Sequence, residues 1–232
     1  YLSACQLVWR AGRTLFVHGG VAAEALCAVP GHAATSLDTF DVDAWSERLN
    51  GFLTEQMGAF VARARRPDGK PAWREAIRYQ MPLPGTRSNP GSVVYGRFGD
   101  ADNNPTLPAH DVIEALIRCG VHRVVVGHTP NGDVASIVRT KAGAPPFEVV
   151  IADNSRSRVA TACRVTVQDE AVRLHGRVVL DDGEERTVDA TLPVADGGSP
   201  VGKRAADGSL VKAPIEGGFH TFRYLPGYQL SQ

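Results

Sequence analysis

The chain has few of the features that mark membrane, secreted or nucleic-acid-binding proteins. Its 25 Lys and Arg residues balance 25 Asp and Glu residues, so it has no overall positive field to attract a polyphosphate backbone. It has no run of the roughly 20 apolar residues that spans a bilayer, and its first residues lack the order of a signal peptide. The sequence therefore predicts a soluble protein whose partners are neither nucleic acid nor membrane.

Cysteine is also scarce. The four cysteines are Cys5, Cys27, Cys119 and Cys163, and no two of them form a C-x-x-C pair. This spacing indicates neither a disulfide framework nor a thiolate metal cage. It favours a reducing compartment such as the cytoplasm.

What the chain does have is enough apolar material for one full-sized core. With 232 residues, 43% of them hydrophobic, it can form one globular domain, or one domain with a satellite. Residues 6–9 and 14–18 read as two strands of a hairpin, and Asp41 is placed to cap a helix whose apolar positions recur every three to four residues. A helix capped by Thr106 and ended by Gly120 then precedes a buried strand over residues 121–127. A helix followed by a buried strand is typical of α/β folds, so we expect an α/β fold.

The remaining segments are less regular. Residues 67–108 are rich in Pro, Gly, Asn and Arg, which is typical of a functional lid or binding loop. Residues 147–152, 159–167, 172–180 and 186–192 alternate between apolar and polar, and they predict an antiparallel meander. We expect residues 195–232 to be a loose tail whose aromatic side chains pack back on the domain. Those aromatics are Phe219, Phe222, Tyr224 and Tyr228.

Two histidines stand directly after apolar strands. His18 follows the sequence LFV and precedes two glycines, and His128 follows VVVG and precedes Thr129. Ends of strands are where α/β sheets place ligands, and a neutral imidazole offers one lone pair to a metal. Either histidine alone is better explained as a turn residue whose hydrogen bonds are satisfied, but their joint occurrence favours metal binding.

Residues 15–21 (LFVHGGV) and 124–130 (VVVGHTP) resemble the last two metal-binding motifs of the calcineurin-like metallophosphoesterases. The similarity is greatest to the bacterial Shewanella-like phosphoprotein phosphatases, and it covers about residues 2–165. It implies a centre of two divalent ions (Mn, Fe or Zn) between two packed sheets, with His18 and His128 as ligands of the second metal. It also implies that residues 1–194 are the C-terminal part of a four-layer α/β/β/α sandwich, with a helical and irregular lid inserted at about 36–108.

Residues 93–97 (VVYGR) resemble the segment in which the family holds the substrate phosphate. The resemblance implies that Tyr95 and Arg97 bind substrate and that Arg97 and His128 are catalytic. A guanidinium fork matches phosphate oxygens in pairs, although an arginine in a loop is as often simply solvated. The pair Asp153 and Asn154 resembles the acidic position after the family's last core strand, which implies a supporting role near the metals.

The first three motifs of the family, D-x-H, G-D-x-x-D and G-N-H-D/E, are absent from the chain. They would supply the first-metal site and the group that protonates the leaving oxygen. We therefore expect this chain to be the C-terminal part of a phosphomonoester hydrolase. Its N-terminal segment belongs to the same polypeptide, is a separate chain or has been lost. The expected reaction is metal-assisted hydrolysis of a phosphorylated small molecule or phosphopeptide, with Arg97 holding the phosphate.

Two other functions are compatible with the sequence. One is a non-catalytic pseudo-phosphatase or regulatory half, because two histidines alone hold a metal weakly. The other is a lipase-type α/β-hydrolase, whose oxyanion segment is also His-Gly-Gly. That enzyme needs a G-x-S-x-G elbow, and the nearest sequence, GGSPV at residues 197–201, lacks the last glycine.

Overall fold

A computed structural model describes residues 4–100, 102–141, 143–153, 163–180, 182–194 and 198–223. It shows a mixed α/β protein with several sheets and few helices, which confirms the predicted fold class at this level. The chain forms two compact units, Tyr1–Phe98 with Pro108–Val121 and Gly99–Leu107 with His122–Gln232. Within the described ranges, none of the helices has both the length and the apolar character needed to cross a membrane.

The first unit contains a hairpin and all of the described helices. Strands β1 (Val8–Ala11) and β2 (Thr14–Val17) pair antiparallel across a turn at Gly12, as predicted. The helices are α1 (Ala23–Cys27), a 3-10 turn (Leu37–Thr39), α2 (Val42–Val61), α3 (Arg74–Tyr79) and α4 (His110–Arg118). Asn50 ties α2 to the hairpin, because its amide accepts from Leu7 N at 2.9 Å and donates to Val8 O at 2.9 Å.

Helix α2 begins where the sequence predicts. The Asp41 carboxylate accepts from Asp43 N at 2.9 Å and from Ala44 N at 2.8 Å, which satisfies two N–H groups of the first turn. The buried face consists of Val42, Trp45, Leu49, Phe52 and Gln56. The predicted amphipathic period is therefore correct.

Two helix predictions need correction. Helix α3 lies inside the segment predicted as irregular, because its sequence REAIRY consists largely of good helix formers between Pro71 and Pro82. Helix α4 is not capped by Thr106; it starts at His110, with Ala109 at the N-cap. Pro108 explains the shift, because proline disfavours a helical conformation of the residue before it. The end of the helix agrees with the prediction, since Gly120 adopts φ +76°.

The second unit contains eight strands in three sets within the described ranges. In the first set β3 (Arg123–Val126) pairs parallel with β5 (Glu148–Ile151), and β4 (Ser136–Arg139) pairs antiparallel with β5. The strand predicted over 147–152 exists, but it belongs to this sheet and not to the meander, so that part of the prediction is wrong. Strand β5 lies between two neighbours and all four of its residues are buried, which accounts for the apolar run over residues 149–151.

The meander itself is β6 (Arg164–Val167), β7 (Ala171–Val179) and β8 (Glu185–Pro193), paired antiparallel in that order. Alternate residues of β7 and β8 are buried, as the sequence pattern predicts. The N-terminal part of the strand predicted over 159–167 lies outside the described residues, as do Asn154, Tyr224 and Tyr228.

Residues 210–223 belong to the predicted loose tail but form an antiparallel pair, β9 (Leu210–Ile215) and β10 (Phe219–Arg223). The turn between them uses Gly217 and Gly218 at φ +88° and +83°, values that glycine adopts at little cost. Five of the six residues of β9 are buried. The strand was not predicted because Lys212 and Pro214 interrupt its apolar pattern and proline is unusual within a sheet. Of the aromatics of β10, Phe219 is 68% exposed and does not pack back as predicted, while Phe222 is 39% exposed.

The core of the second unit is shared by its three sets of strands. Its buried residues include Ile137 of β4, Val150 of β5, Leu174 of β7, Val188 of β8 and Ala213 of β9. Apolar side chains from every sheet therefore meet in one cluster, and their burial provides the main driving force for folding of this unit.

Three charged side chains are also buried in this unit. Glu148 of β5 accepts from Arg123 Nε of β3 at 2.6 Å and from Arg139 Nε of β4 at 3.0 Å. The side chains of Arg123, Glu148 and Arg139 are 1%, 0% and 5% exposed. The predicted strand over 121–127 is therefore buried in spite of Arg123, because a neighbouring strand supplies the partner charge.

Lys212 is a further buried cation of this unit, with 3% of its surface exposed. Burial, followed by the positive charge of Arg223, lowers its pKa from 10.5 to about 8, while Asp133 and Cys163 act in the opposite direction. Its Nζ donates a hydrogen bond to Asn131 O.

The depressed pKa of Lys212 predicts a pH-dependent stability. Between pH 8 and pH 10.5 the unfolded state holds a proton on this lysine that the folded state has released. The free energy of unfolding therefore rises with pH across this window. Between pH 8 and pH 10.5 the free energy of unfolding of the wild type should rise by up to about 3 kcal/mol more than that of Lys212→Met. Urea unfolding of both proteins over this pH range tests the prediction, and parallel pH profiles would contradict it.

Candidate functional site

In the first unit the glycines after His18 pack backbone against backbone on the segment that carries Arg97. Gly19 N donates to Val93 O at 2.7 Å. A Cβ at Gly19 would lie 2.5 Å from Gly96 O, and one at Gly20 would lie 2.8 Å from Arg97 N. No larger residue fits such distances without moving the backbone. The structure thus brings together two of the sequence motifs that were predicted to form the site.

His18 itself is exposed at the end of β2, and Tyr95 and Arg97 are partly exposed. Arg97 Nε donates to Arg87 O at 2.8 Å, and the guanidinium carbon lies 5.7 Å from the centre of the Tyr95 ring. These two contacts hold the guanidinium plane in one orientation, and the ring face attracts its charge. An arginine fixed in this way is suited to binding an anion with two oxygens at once.

Two side chains that the sequence did not indicate accept hydrogen bonds from the backbone of the segment that carries Arg97. Ser92 Oγ accepts from Val94 N at 3.1 Å and from Tyr95 N at 3.3 Å. The Tyr79 hydroxyl, at the end of α3, accepts from Val93 N at 3.0 Å. Burial raises the pKa of Tyr79 to about 12. Serine before a turn is a recognisable signal, but the sequence has no signal for a tyrosine whose partner is a distant backbone amide.

Removing the Tyr79 hydroxyl should destabilise this segment. In Tyr79→Phe the buried Val93 N–H loses its acceptor, so we expect the free energy of unfolding to fall by about 1–3 kcal/mol. Thr54→Ala is the control, because Thr54 Oγ1 bonds Asn50 O on an exposed face of α2, where water can replace the bond. Its effect should stay within about 0.5 kcal/mol. Equal effects of the two changes in urea unfolding would show that Tyr79 does not support the segment.

His128 lies in the second unit, two residues after the end of β3. Its backbone is left-handed at φ +69°, a conformation that costs a non-glycine residue about 1–3 kcal/mol and is concentrated at functional sites. Its Nε2 atom is buried. Beyond it, Asn131 N donates to Asp153 O at 3.3 Å, which places Asp153 next to the loop that follows His128.

A complete metal centre is not assembled by the described residues alone. Among them, no group of three or more His, Cys, Asp or Glu side chains is arranged to hold a metal ion. The two predicted ligands are divided between the units, with His18 in the first and His128 in the second. An imidazole is a suitable ligand for Fe or Zn, whereas Mn also needs oxygen ligands.

Comparison of the chain with protein-family models, with curated proteins and with solved structures found no match in any of the three.

Proposed function

We propose that this chain forms part of the active site of a metal-dependent phosphomonoesterase of the calcineurin-like kind. The main support is the packing of the glycine turn after His18 on residues 93–97. A phosphatase of this type needs a metal ligand and a phosphate-binding cation held in a fixed relation. The two motifs that resemble these parts of the family are locked together by backbone contacts that only glycine permits.

In this proposal His18 and His128 bind divalent metal, which is Mn, Fe or Zn. The left-handed backbone of His128 is consistent with a metal-binding role, because a strained conformation is tolerated where it directs a side chain to a functional position. Bound metals would supply Lewis-acid activation of water and of the phosphoryl group. The other ligands come from an N-terminal segment that carries the three missing motifs, and the complete protein is a four-layer α/β/β/α sandwich.

Arg97 is the phosphate-binding residue of this proposal. The hydrogen bond from its Nε to Arg87 O leaves the orientation of the guanidinium set before substrate arrives, so little ordering is needed on binding. Tyr95 lies against the same group and completes the binding surface. The charge of Arg97 also stabilises the phosphoryl oxygens as charge shifts in the transition state. The substrate is a phosphorylated small molecule or a phosphopeptide.

The first test is made on the native protein together with any polypeptide that accompanies it. Intact mass and N-terminal sequencing show whether the three missing motifs are present. Hydrolysis of p-nitrophenyl phosphate is then measured with added Mn²⁺ and with a chelator. We expect activity that depends on metal. An inactive protein that contains all five motifs would favour the non-catalytic alternative.

Substitutions in the active protein separate the roles. Arg97→Ala should lower kcat/KM by about a hundredfold or more, and His128→Ala should lower both metal content and rate. The controls are Arg78→Ala and His110→Ala, since both side chains are exposed and contact Glu75 and Glu114 at the surface. Unchanged metal content and rate in His128→Ala would contradict its assignment as a ligand.

A further inference from the structure

The second unit contains a cavity of about 360 Å³ that the proposed phosphatase site does not use. Its walls come from the loop after His128, from the end of β7 and from the pair β9 and β10. The lining includes Asn131, Asp133, Leu180, Lys212, Phe222 and Arg223. A volume of this size is in the range of pockets that bind small molecules.

Two cations face this cavity. Lys212 donates one hydrogen bond to Asn131 O, and an ammonium group has three hydrogens to donate. Arg223 donates from Nη2 to Asn103 O at 3.1 Å, and its Nε is buried with no hydrogen-bond partner in the described part of the chain. The lining includes these two cations and one carboxylate, that of Asp133. The wall therefore remains electropositive.

The cavity also contains a buried acceptor. Asn131 is 1% exposed and its Nδ2 donates to Thr129 O at 2.7 Å. Because the donor in this bond must be the amide nitrogen, the bond also fixes the direction of the amide oxygen, Oδ1. Oδ1 is buried and accepts no hydrogen bond within the described ranges. A buried acceptor of this kind is costly to leave unsatisfied, and a hydroxyl donor in the cavity would satisfy it.

We propose that this cavity binds a small organic phosphate that carries hydroxyl groups. Lys212 and Arg223 bind the phosphate, Asn131 Oδ1 accepts from a hydroxyl, and Phe222 with Leu180 lines the carbon skeleton. None of its lining residues is among those assigned to the phosphatase site, and all of them belong to the second unit.

The test is calorimetric titration of the full chain with ribose 5-phosphate and with inorganic phosphate, in a chelator so that no metal contributes. We expect saturable binding of the sugar phosphate at pH 7, at least about tenfold tighter than inorganic phosphate. Binding should weaken at about pH 9.5, where Lys212 has lost its proton. Equal affinity for the two compounds would overturn the assignment of a hydroxylated ligand, and no binding below about 5 mM would overturn the site.

Variants locate the binding. Lys212→Met and Arg223→Gln should each weaken it by about tenfold or more, and Asn131→Asp should abolish it, because it adds a negative charge to the wall. Arg177→Gln is the control, since it removes a positive charge from the exposed Arg177–Glu185 pair of the same unit. Circular dichroism confirms that each variant is folded. Wild-type affinity in both Lys212→Met and Arg223→Gln would overturn the proposal. Because the titration is made without metal, its failure leaves the phosphatase proposal intact. Likewise, absence of phosphatase activity leaves the proposal for this cavity intact.

Discussion

Glu148→Gln is expected to lower the free energy of unfolding by about 3–5 kcal/mol. The substitution keeps the size of the side chain but removes the negative charge that Arg123 and Arg139 share. Both guanidinium groups are buried, so water cannot replace the lost partner. Two uncompensated positive charges would then remain in the core of the second unit. Urea unfolding of the variant and the wild type at neutral pH measures the difference.

Asp189→Asn is the matched control for this change. Asp189 pairs with Arg173 at 3.1 Å, but both side chains are about half exposed, so solvent screens the pair. Its loss should cost about 0–1 kcal/mol. A cost for Glu148→Gln as small as that of the control would show that the three charges are not buried together.

Elements with a local signal could be predicted from the sequence. The start of α2 depends on one capping residue, Asp41, and its buried face follows from a period of 3.6. Strands β7 and β8 alternate strictly because one of their faces is buried, and the hairpin of β1 and β2 needs only a short turn with Gly12. In each case the residues that specify the element lie within it.

Elements whose stability comes from distant parts of the chain could not be predicted. Strand β4 is short and contains Ser136 and Arg139, which become favourable only next to β5. Strand β9 contains a lysine and a proline, yet its residues are buried against β4 and β8. The role of Tyr79 depends on Val93 N, which belongs to another segment. Such pairings are properties of the folded unit and leave no periodic pattern in the sequence.

The candidate site lies between these two cases. His18, Arg97 and His128 could be chosen as candidates from the sequence because short motifs surround them. The contact between the glycine turn and residues 93–97 could not, since glycine also occurs in ordinary turns. Among the glycines of the first unit, Gly19, Gly20 and Gly96 are set apart by the backbone atoms that their missing side chains would meet.

Gly19→Ala tests that contact and is the second change with a large expected effect. The new Cβ would lie 2.5 Å from Gly96 O and 2.6 Å from Val94 O, so one of the two backbones must move. We expect a loss of about 2–3 kcal/mol in the free energy of unfolding, because neither oxygen belongs to a flexible side chain. Urea unfolding measures it.

Gly51→Ala makes the same chemical change on the exposed side of α2, where a Cβ meets nothing within 4 Å. It should stabilise the protein by about 1 kcal/mol, because alanine is the better helix former. Opposite signs for the two variants would establish that the turn after His18 is held by close backbone packing, and a neutral Gly19→Ala would contradict it.

If the phosphatase proposal is correct, Gly19→Ala should also lower kcat/KM under conditions where the variant is fully folded, since movement of residues 94–97 displaces Arg97. Gly51→Ala should leave the rate unchanged, so the pair separates the positioning of Arg97 from stability.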